Sequence, residues 1–280
     1  MLQINTEKFS EIFTAIVKIS SDISDYNRAL MEALDYIKST AKQDIIKDSA
    51  ISRTHRHCMQ WNTNLSRLLH ERIDNALIEF AKAAIHVLTT FKTGSASTVM
   101  LEEEIHHILS LVNYQIDGLE RFHKSMATYK LYLEKDYKAI RDTIAVHLQQ
   151  RNQHEHAEHF YNEFAQLSEH INKLNIKESF KSFNRAVKYG NDKSDNTPNY
   201  LVLTETLLVR KSNSIQTLID CAMELKIIWE DQKKQCIQFK KQLRVPDKNK
   251  IPIYLELPYI ETARKDWKQI RQLIEHKNGT

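Results

Sequence analysis

Histidine is the residue type in this sequence best suited to metal binding and proton transfer, and the chain contains 13 histidines. The densest group is His154, His156 and His159. A step of two residues on a helix turns the side chain by about 200°, so His154 and His156 cannot bind one metal ion. His156 and His159 could bind one together with Glu155 or Glu163, but histidine pairs on a polar face are more often surface residues. We therefore predict no metal site.

The pairs His55/His57 and His106/His107 are also unsuitably spaced for one metal ion on a helix. An imidazole in water takes up its proton near pH 6.5. If the histidines have a function, the sequence therefore favours a collective change of charge in mild acid.

The sequence contains no recognisable catalytic motif. The GxSxG, HExxH, P-loop and GxGxxG patterns are absent. The carboxylates at 102–104 are best explained as the charged first turn of a helix. Cys58, Cys221 and Cys236 lie far apart, which indicates neither a disulfide framework nor a zinc site. We predict a protein that is not an enzyme and that uses no cofactor.

Composition limits the fold and the partners. Among 280 residues there are only four glycines and four prolines, where an average protein would have about 20 and about 14. Nearly the whole chain is therefore predicted to be helical. The 40 Lys and Arg residues are interleaved with 36 Asp and Glu residues, which argues against a nucleic-acid-binding face.

Neither a secretory signal nor a membrane span is indicated. Glu7, Lys8, Glu11 and Lys18 interrupt the apolar positions of residues 1–18, so we expect release without a classical signal peptide. No run of 18 apolar residues occurs that could form an ordinary transmembrane helix.

Apolar residues recur at steps of three and four, which predicts long helices that pack along coiled-coil-like seams. The pattern is lost at 47–56, where we expect a bend or a short break. The most regular seam lies in the fourth helix, predicted at 200–243, and includes a few polar members. Its members are Leu201, Thr204, Leu208, Lys211, Ile215, Leu218, Ala222, Leu225, Trp229, Gln232, Cys236, Phe239 and Leu243.

We predict an elongated all-α bundle of long antiparallel helices with four segments. Residues 1–75 form tail-bundle helices, and 76–116 form a small hairpin head directed at a membrane or a partner. Residues 117–243 form long tail helices interrupted by a loop at 190–198. Residues 244–280 form a proline-rich linker and a short C-terminal helix, predicted at about 258–276.

The predicted hairpin carries most of the functional content. Residues 76–91 are the most apolar run of that length, and small residues around Gly94 form the turn. Two such amphipathic helices could lie on a bilayer or line an assembled lumen, although an ordinary buried hairpin tip remains an alternative. The candidate membrane-contacting residues are Leu77, Phe80, Ala84, Val87, Leu88, Phe91, Gly94, Val99, Met100, Leu101, Ile105 and Ile108. Replacing Val87 and Ile108 together by Glu is expected to abolish membrane permeabilisation and to preserve the helix content.

This layout resembles the α-helical pore-forming toxins, a superfamily that includes cytolysin A, the Bacillus tripartite enterotoxin components and the xenorhabdolysin-type binary toxins. Residues 215–229, which end in Trp229, followed by 232–243, are similar to the late tail helix of that family. The segment 263–270 is similar to its closing A-x-x-x-W-x-x-I motif. The resemblance implies a cytolysin-like virulence protein that is secreted in soluble form, oligomerises and perforates host membranes without cofactors.

The hairpin is more charged than the apolar tongue of family members that insert directly, since it keeps Glu79, Lys82 and the carboxylates at 102–104. The resemblance therefore favours one component of a multi-part toxin, acting with a second subunit or as a homo-oligomer. The alternative is a non-lytic helical scaffold, such as a BAR-like membrane-binding dimer or an adaptor. Lys177, Lys181, Arg185 and Lys188 form a modest basic face that such a scaffold could use.

Overall fold

The computed structural model describes residues 2–40, 49–69, 76–93, 98–150, 197–243 and 257–278. Within these ranges the chain is helical from Thr6 onward, which confirms the all-α prediction. The helices are α1 (Thr6–Thr40), α2 (Ser49–Gln60), α3 (Ser66–Leu69), α4 (Ala76–Thr93), α5 (Thr98–Gln150), α6 (Thr197–Leu243) and α7 (Leu257–Asn278). A π-helical segment, Trp61–Leu65, connects α2 to α3. At 1.5 Å per residue, α5 alone is about 80 Å long.

Local sequence explains where several helices begin. Asn5 caps α1, because its side-chain oxygen accepts a hydrogen bond from the Lys8 backbone N–H at 3.0 Å. Helix α6 begins at Thr197, slightly earlier than predicted, with Pro198 in its first turn. Helix α7 likewise has Pro258 in its first turn.

The seam predicted for α6 is confirmed, since each of its members from Leu201 to Phe239 is buried. The polar members Thr204, Lys211 and Gln232 are buried as well. The periodicity of the sequence therefore identified the packing face even where that face is not apolar.

The break expected at 47–56 is wrong for residues 49–56, which belong to α2. The buried residues of α2 are Ala50, Ile51, Thr54 and Cys58, a set in which Ile51 alone is a large apolar side chain. The Thr54 hydroxyl donates a hydrogen bond to the Ala50 carbonyl at 2.8 Å. A hydrophobic pattern could not identify this face because few large apolar residues form it.

The chain divides into two compact units. The first unit comprises residues 1–17, 66–125 and 219–280, and the second comprises 18–65 and 126–218. The segment 76–116 therefore shares its unit with α7. The sequence-based division into four segments stays a proposal.

Contacts give the helix directions within each unit. In the first unit α4 and α7 are antiparallel, because Phe80 contacts Trp267 and Lys92 contacts Glu261. In the second unit α5 and α6 are antiparallel, because Tyr129 lies beside Lys211 whereas Arg141, further along α5, lies 3.9 Å from Glu205. The antiparallel arrangement predicted from the sequence is confirmed for these pairs.

Several sequence-based predictions lie outside the described residues. They are the turn at Gly94, the histidine group 154–159, the basic face at 177–188, most of the predicted loop 190–198 and the proline-rich linker.

Candidate functional site

The predicted hairpin consists of α4 and the beginning of α5, and most of its candidate membrane-contacting residues are buried in the first unit. Phe91 and Leu101 are half-buried, and Gly94 lies outside the described residues. Val99 and Met100, at the start of α5, are 67% and 52% exposed. The fully or nearly fully buried candidates are Leu77, Phe80, Ala84, Val87, Leu88, Ile105 and Ile108.

An aromatic cluster covers the first half of α4. The Phe80 ring makes edge-to-face contacts with Trp229 of α6 at 4.6 Å and with Trp267 of α7 at 4.8 Å between ring centres. Such contacts stabilise by about 0.5–1.5 kcal/mol beyond the burial of their area. The two tryptophans singled out by the sequence analysis therefore meet on one residue of the hairpin.

Different contacts hold the end of α4. Phe91 packs edge-to-face on Phe239 of α6 at 5.1 Å. The Lys92 ammonium lies 2.5 Å from a carboxylate oxygen of Glu261 on α7. This hydrogen bond lowers the pKa of Glu261 below its ordinary value. Helix α7 thus contacts α4 at two points, through a buried aromatic contact and through an exposed ion pair.

The N-terminal residues fasten α7 in turn. The Trp267 indole N–H donates a hydrogen bond to the Leu2 carbonyl at 2.8 Å. Leu2 is fully buried and has φ of 53°, in the left-handed region that non-glycine residues seldom occupy. The Gln232 side-chain amide donates to the Gln3 carbonyl at 2.6 Å. The first residues therefore connect α6 and α7 beside the aromatic cluster.

Exposed apolar residues gather at the end of the hairpin, and two of them were not predicted. Leu257 and Tyr259, in the first turn of α7, are exposed. They lie near the end of α4 because Glu261 contacts Lys92. Only four residues separate Thr93 from Thr98, so the starts of α5 and α7 both lie close to this end of α4. The sequence gave little indication that Leu257 and Tyr259 belong to this exposed apolar group, because they follow the proline-rich linker and lie far from the hairpin in the chain.

The burial of the hairpin corrects one sequence-based expectation. Val87 and Ile108 are 0% and 1% exposed, so two glutamates at these positions would place charges in the core. The double substitution would disturb folding rather than leave the helix content intact. Exposed hairpin residues are the appropriate ones to mutate.

The second unit contains a polar cluster around the buried Lys211 side chain, which we call the Lys211 cluster, formed by Lys211, Asn27, Trp61, Tyr129 and the exposed Asn62. Lys211 is fully buried and donates a hydrogen bond to the Asn27 side-chain oxygen. The Asn27 amide donates to the Asn62 side-chain oxygen at 2.8 Å, inside the π-helical segment. The ammonium also lies 5.9 Å from the Trp61 ring centre and 5.2 Å from that of Tyr129, within cation–π range.

Burial lowers the pKa of Lys211 to about 8, and Cys58 and Asp136 oppose that shift. Burial also raises the pKa of the Cys58 thiol and of the Tyr129 hydroxyl. Each of these shifts disfavours the charged form of its group. The neutral forms of Cys58 and Tyr129, which these shifts favour, are poor nucleophiles.

A buried ion pair joins α2 to α5 beside this cluster. The fully buried Asp136 carboxylate accepts a hydrogen bond from Arg53 Nε at 2.8 Å and lies 2.5 Å from His57 Nδ1. The Tyr129 hydroxyl donates to the His57 carbonyl at 2.9 Å. Asn27 and Asp136 are not recognisable as buried residues in the sequence, because each stands next to a tyrosine that fits the apolar spacing of three and four equally well.

Among the described residues, no group of three His, Cys, Asp or Glu side chains could hold a metal ion. His55 lies 3.4 Å from Asp35, whereas His57 contacts Asp136. His106 and His107 are exposed. Within the described helices, no segment combines the length and the apolar character that crossing a membrane requires.

The fold is similar to that of solved toxin components. Motility associated killing factor B from Vibrio cholerae superposes with a TM-score of 0.69 at 12% identity, covering 98% of this chain and 93% of that one. Soluble SmhB of the tripartite alpha-pore forming toxin Smh from Serratia marcescens superposes with a TM-score of 0.72 at 8% identity, covering 99% and 93%. No protein-family model and no curated protein sequence matches the chain. At these identities the likeness is one of fold, and at that level it confirms the resemblance identified from the sequence.

Proposed function

We propose that this chain is one component of an α-helical pore-forming toxin that acts on membranes together with at least one other subunit. The observation that carries the proposal is the backbone likeness to SmhB, a component of a tripartite pore-forming toxin, over nearly the whole of both chains. The likeness to the cytotoxin MakB supports the same function.

The need for a second subunit follows from the charge of the hairpin. Helix α4 carries Glu79 and Lys82, and the carboxylates at 102–104 lie in the second turn of α5, not in its first turn as the sequence suggested. Charged side chains are costly in the hydrocarbon core of a bilayer. A more apolar subunit would therefore make the main membrane insertion, and this chain would add its hairpin to the assembly.

The proposed mechanism exchanges one set of apolar contacts for another. In the free chain α7 and α6 cover the apolar face of α4 through Trp267 and Trp229. On assembly the hairpin would leave α7, and its face would be covered by lipid or by neighbouring subunits. Burial of a large apolar side chain is worth about 1.5–3 kcal/mol in either environment, so the two states can lie close in free energy and a trigger can select between them.

The hairpin end with its exposed Val99 and Met100 is the proposed first point of contact. The V99E/M100E double variant should keep the stability of the wild type, because both side chains are exposed before the change. It should lose most of the leakage activity, since the glutamates disfavour contact with lipid or an apolar partner. The assay is release of a trapped dye from phosphatidylcholine/phosphatidylserine vesicles, with this chain alone and with the products of its neighbouring genes.

The matched control is L131E/V146E, which alters two residues of α5 that are 56% and 52% exposed and lie outside the hairpin. It introduces the same charge and should retain leakage. Equal leakage from both double variants would remove the hairpin end from the mechanism. Tubulation of the vesicles without leakage would instead favour the scaffold alternative.

A further inference from the structure

The outer side of α6 carries a second regular stripe, opposite to the buried seam and within the first unit. Its members follow steps of four and three residues and span about 80° of the helix surface at 100° per residue. Ile227 is 61% exposed, Met223 and Ile237 are exposed, and the charged members are exposed or half-exposed. The members, which we call the outer stripe, are Met223, Ile227, Glu230, Lys234, Ile237 and Lys241.

Steps of four and three define the seam of a two-helix coiled coil. Apolar side chains on such a stripe favour burial against a second helix. A surface that covers the outer stripe must also place groups of opposite charge against the Glu230 carboxylate and the Lys234 ammonium.

The outer stripe complements itself when it is reversed. Around a two-fold axis at position 232, Ile227 faces Ile237, Glu230 faces Lys234, and the thioether of Met223 faces the aliphatic stem of Lys241. Each of these layers pairs an apolar residue with an apolar surface, or an acid with a base. Such self-complementarity is what a two-fold symmetric interface requires.

We propose that the outer stripe is a self-association surface through which two copies of this chain pair with their α6 helices antiparallel. A parallel pair would place Glu230 against Glu230 and Lys234 against Lys234 at the centre of the contact, where like charges are most unfavourable. The antiparallel pair places opposite charges there twice. This inference does not depend on the proposed toxin function.

The rim of the contact limits its strength. In the antiparallel pair Lys233 of one copy approaches Lys233 of the other, and Asp231 approaches Asp231. The Glu230 carboxylate also lies 3.4 Å from Lys226 of its own chain. The stripe is only about 27 Å long, so the contact falls below the area of standard stable interfaces, which begins at about 1,200 Å². We therefore expect a weak, concentration-dependent dimer.

Sedimentation equilibrium of the full chain over a wide range of concentration tests the association. Ile227→Glu should weaken dimerisation by about tenfold or more, because it puts a charge into an apolar layer. The matched control Leu131→Glu alters a similarly exposed residue of α5 and should not change it. Lys233→Ala should tighten the dimer, since it removes a like-charge contact. A wild-type chain that stays monomeric throughout, or an unaltered dimer with Ile227→Glu, would overturn the proposal.

Disulfide trapping tests the direction of the pair. In a Cys221→Ser background, which removes the one thiol that is not buried, equal amounts of the Glu230→Cys and Lys234→Cys variants are mixed and oxidised. An antiparallel pair brings these two positions together, so the mixture should form cross-linked dimers faster than either variant alone. Cross-linking that is fastest within a single variant would refute the antiparallel arrangement, and circular dichroism checks that each variant is folded.

Discussion

Replacing Lys211 by Met should alter the pH dependence of stability in one direction. The pKa of Lys211 is lowered by burial from an ordinary value of 10.5 to about 8. Between these two values the unfolded chain holds a proton that the folded chain has lost, so this lysine makes stability rise with pH across that window. Below pH 8 the folded chain carries the whole cost of the buried charge, which corresponds to about 3 kcal/mol.

Methionine has a side chain of similar length and no charge, so the K211M variant escapes this cost. The variant also lacks the hydrogen bond to Asn27 and the cation–π contacts with Trp61 and Tyr129. The wild type makes the cation–π contacts while Lys211 is charged. The difference in free energy of unfolding between variant and wild type should therefore shift by about 3 kcal/mol between pH 7 and pH 10.5, with the variant favoured most at pH 7.

The measurement is guanidinium denaturation followed by circular dichroism at several pH values between 7 and 10.5. Lys138→Met, which removes an exposed lysine from α5, is the control and should follow the wild type at every pH. A difference between K211M and wild type that stays constant over this range would refute the assignment of Lys211 as a destabilising buried charge.

Two further outcomes are expected. Asp136→Asn should lower the free energy of unfolding by about 2–3 kcal/mol in chemical denaturation, because the buried carboxylate loses its ion pair with Arg53. The loss stays moderate because the half-exposed Arg53 side chain can be hydrated instead. An unchanged midpoint would contradict this. In a Cys221→Ser background, a cleavable bifunctional maleimide that links Lys92→Cys to Glu261→Cys should fasten α4 to α7 and stop vesicle leakage until the linker is cut. Equal leakage before and after cleavage would show that the hairpin need not leave α7.

The spacing of three and four residues predicted the packing faces well, because side chains at this spacing lie on the one side of a helix that packs against its neighbours. The members of the α6 seam from Leu201 to Phe239 are all buried, including Lys211, since a helix that is packed along its length buries whatever stands at the seam positions. In α1 and α5 the apolar steps of three and four fall on Tyr26 and Tyr137, whereas the structure buries their neighbours Asn27 and Asp136. Where an apolar neighbour fits the spacing equally well, a buried polar residue is identified only by its partner.

Those partners are distant in sequence. Asp136 is buried because Arg53 and His57 lie on α2, about 80 residues earlier. The same pairing explains why α2 was missed, since Ile51 is the one large apolar residue on its buried side and Arg53 and His57 are paired with Asp136 of α5. For the hairpin, the sequence correctly indicated an apolar face on α4, but the coverage of that face by α7 depends on the contact between Phe80 and Trp267. Local sequence does not encode a contact across 187 positions.

The placement of the three tryptophans allows each unit to be followed by intrinsic fluorescence, without any added label. Trp61 lies in the second unit, whereas Trp229 and Trp267 stack in the first with ring centres 6.2 Å apart, and all three are fully buried. An indole shielded from water fluoresces at shorter wavelength than one that is hydrated. A Trp61→Phe protein would therefore emit only from the helices around α4, and a red shift on meeting vesicles would time the opening of that region.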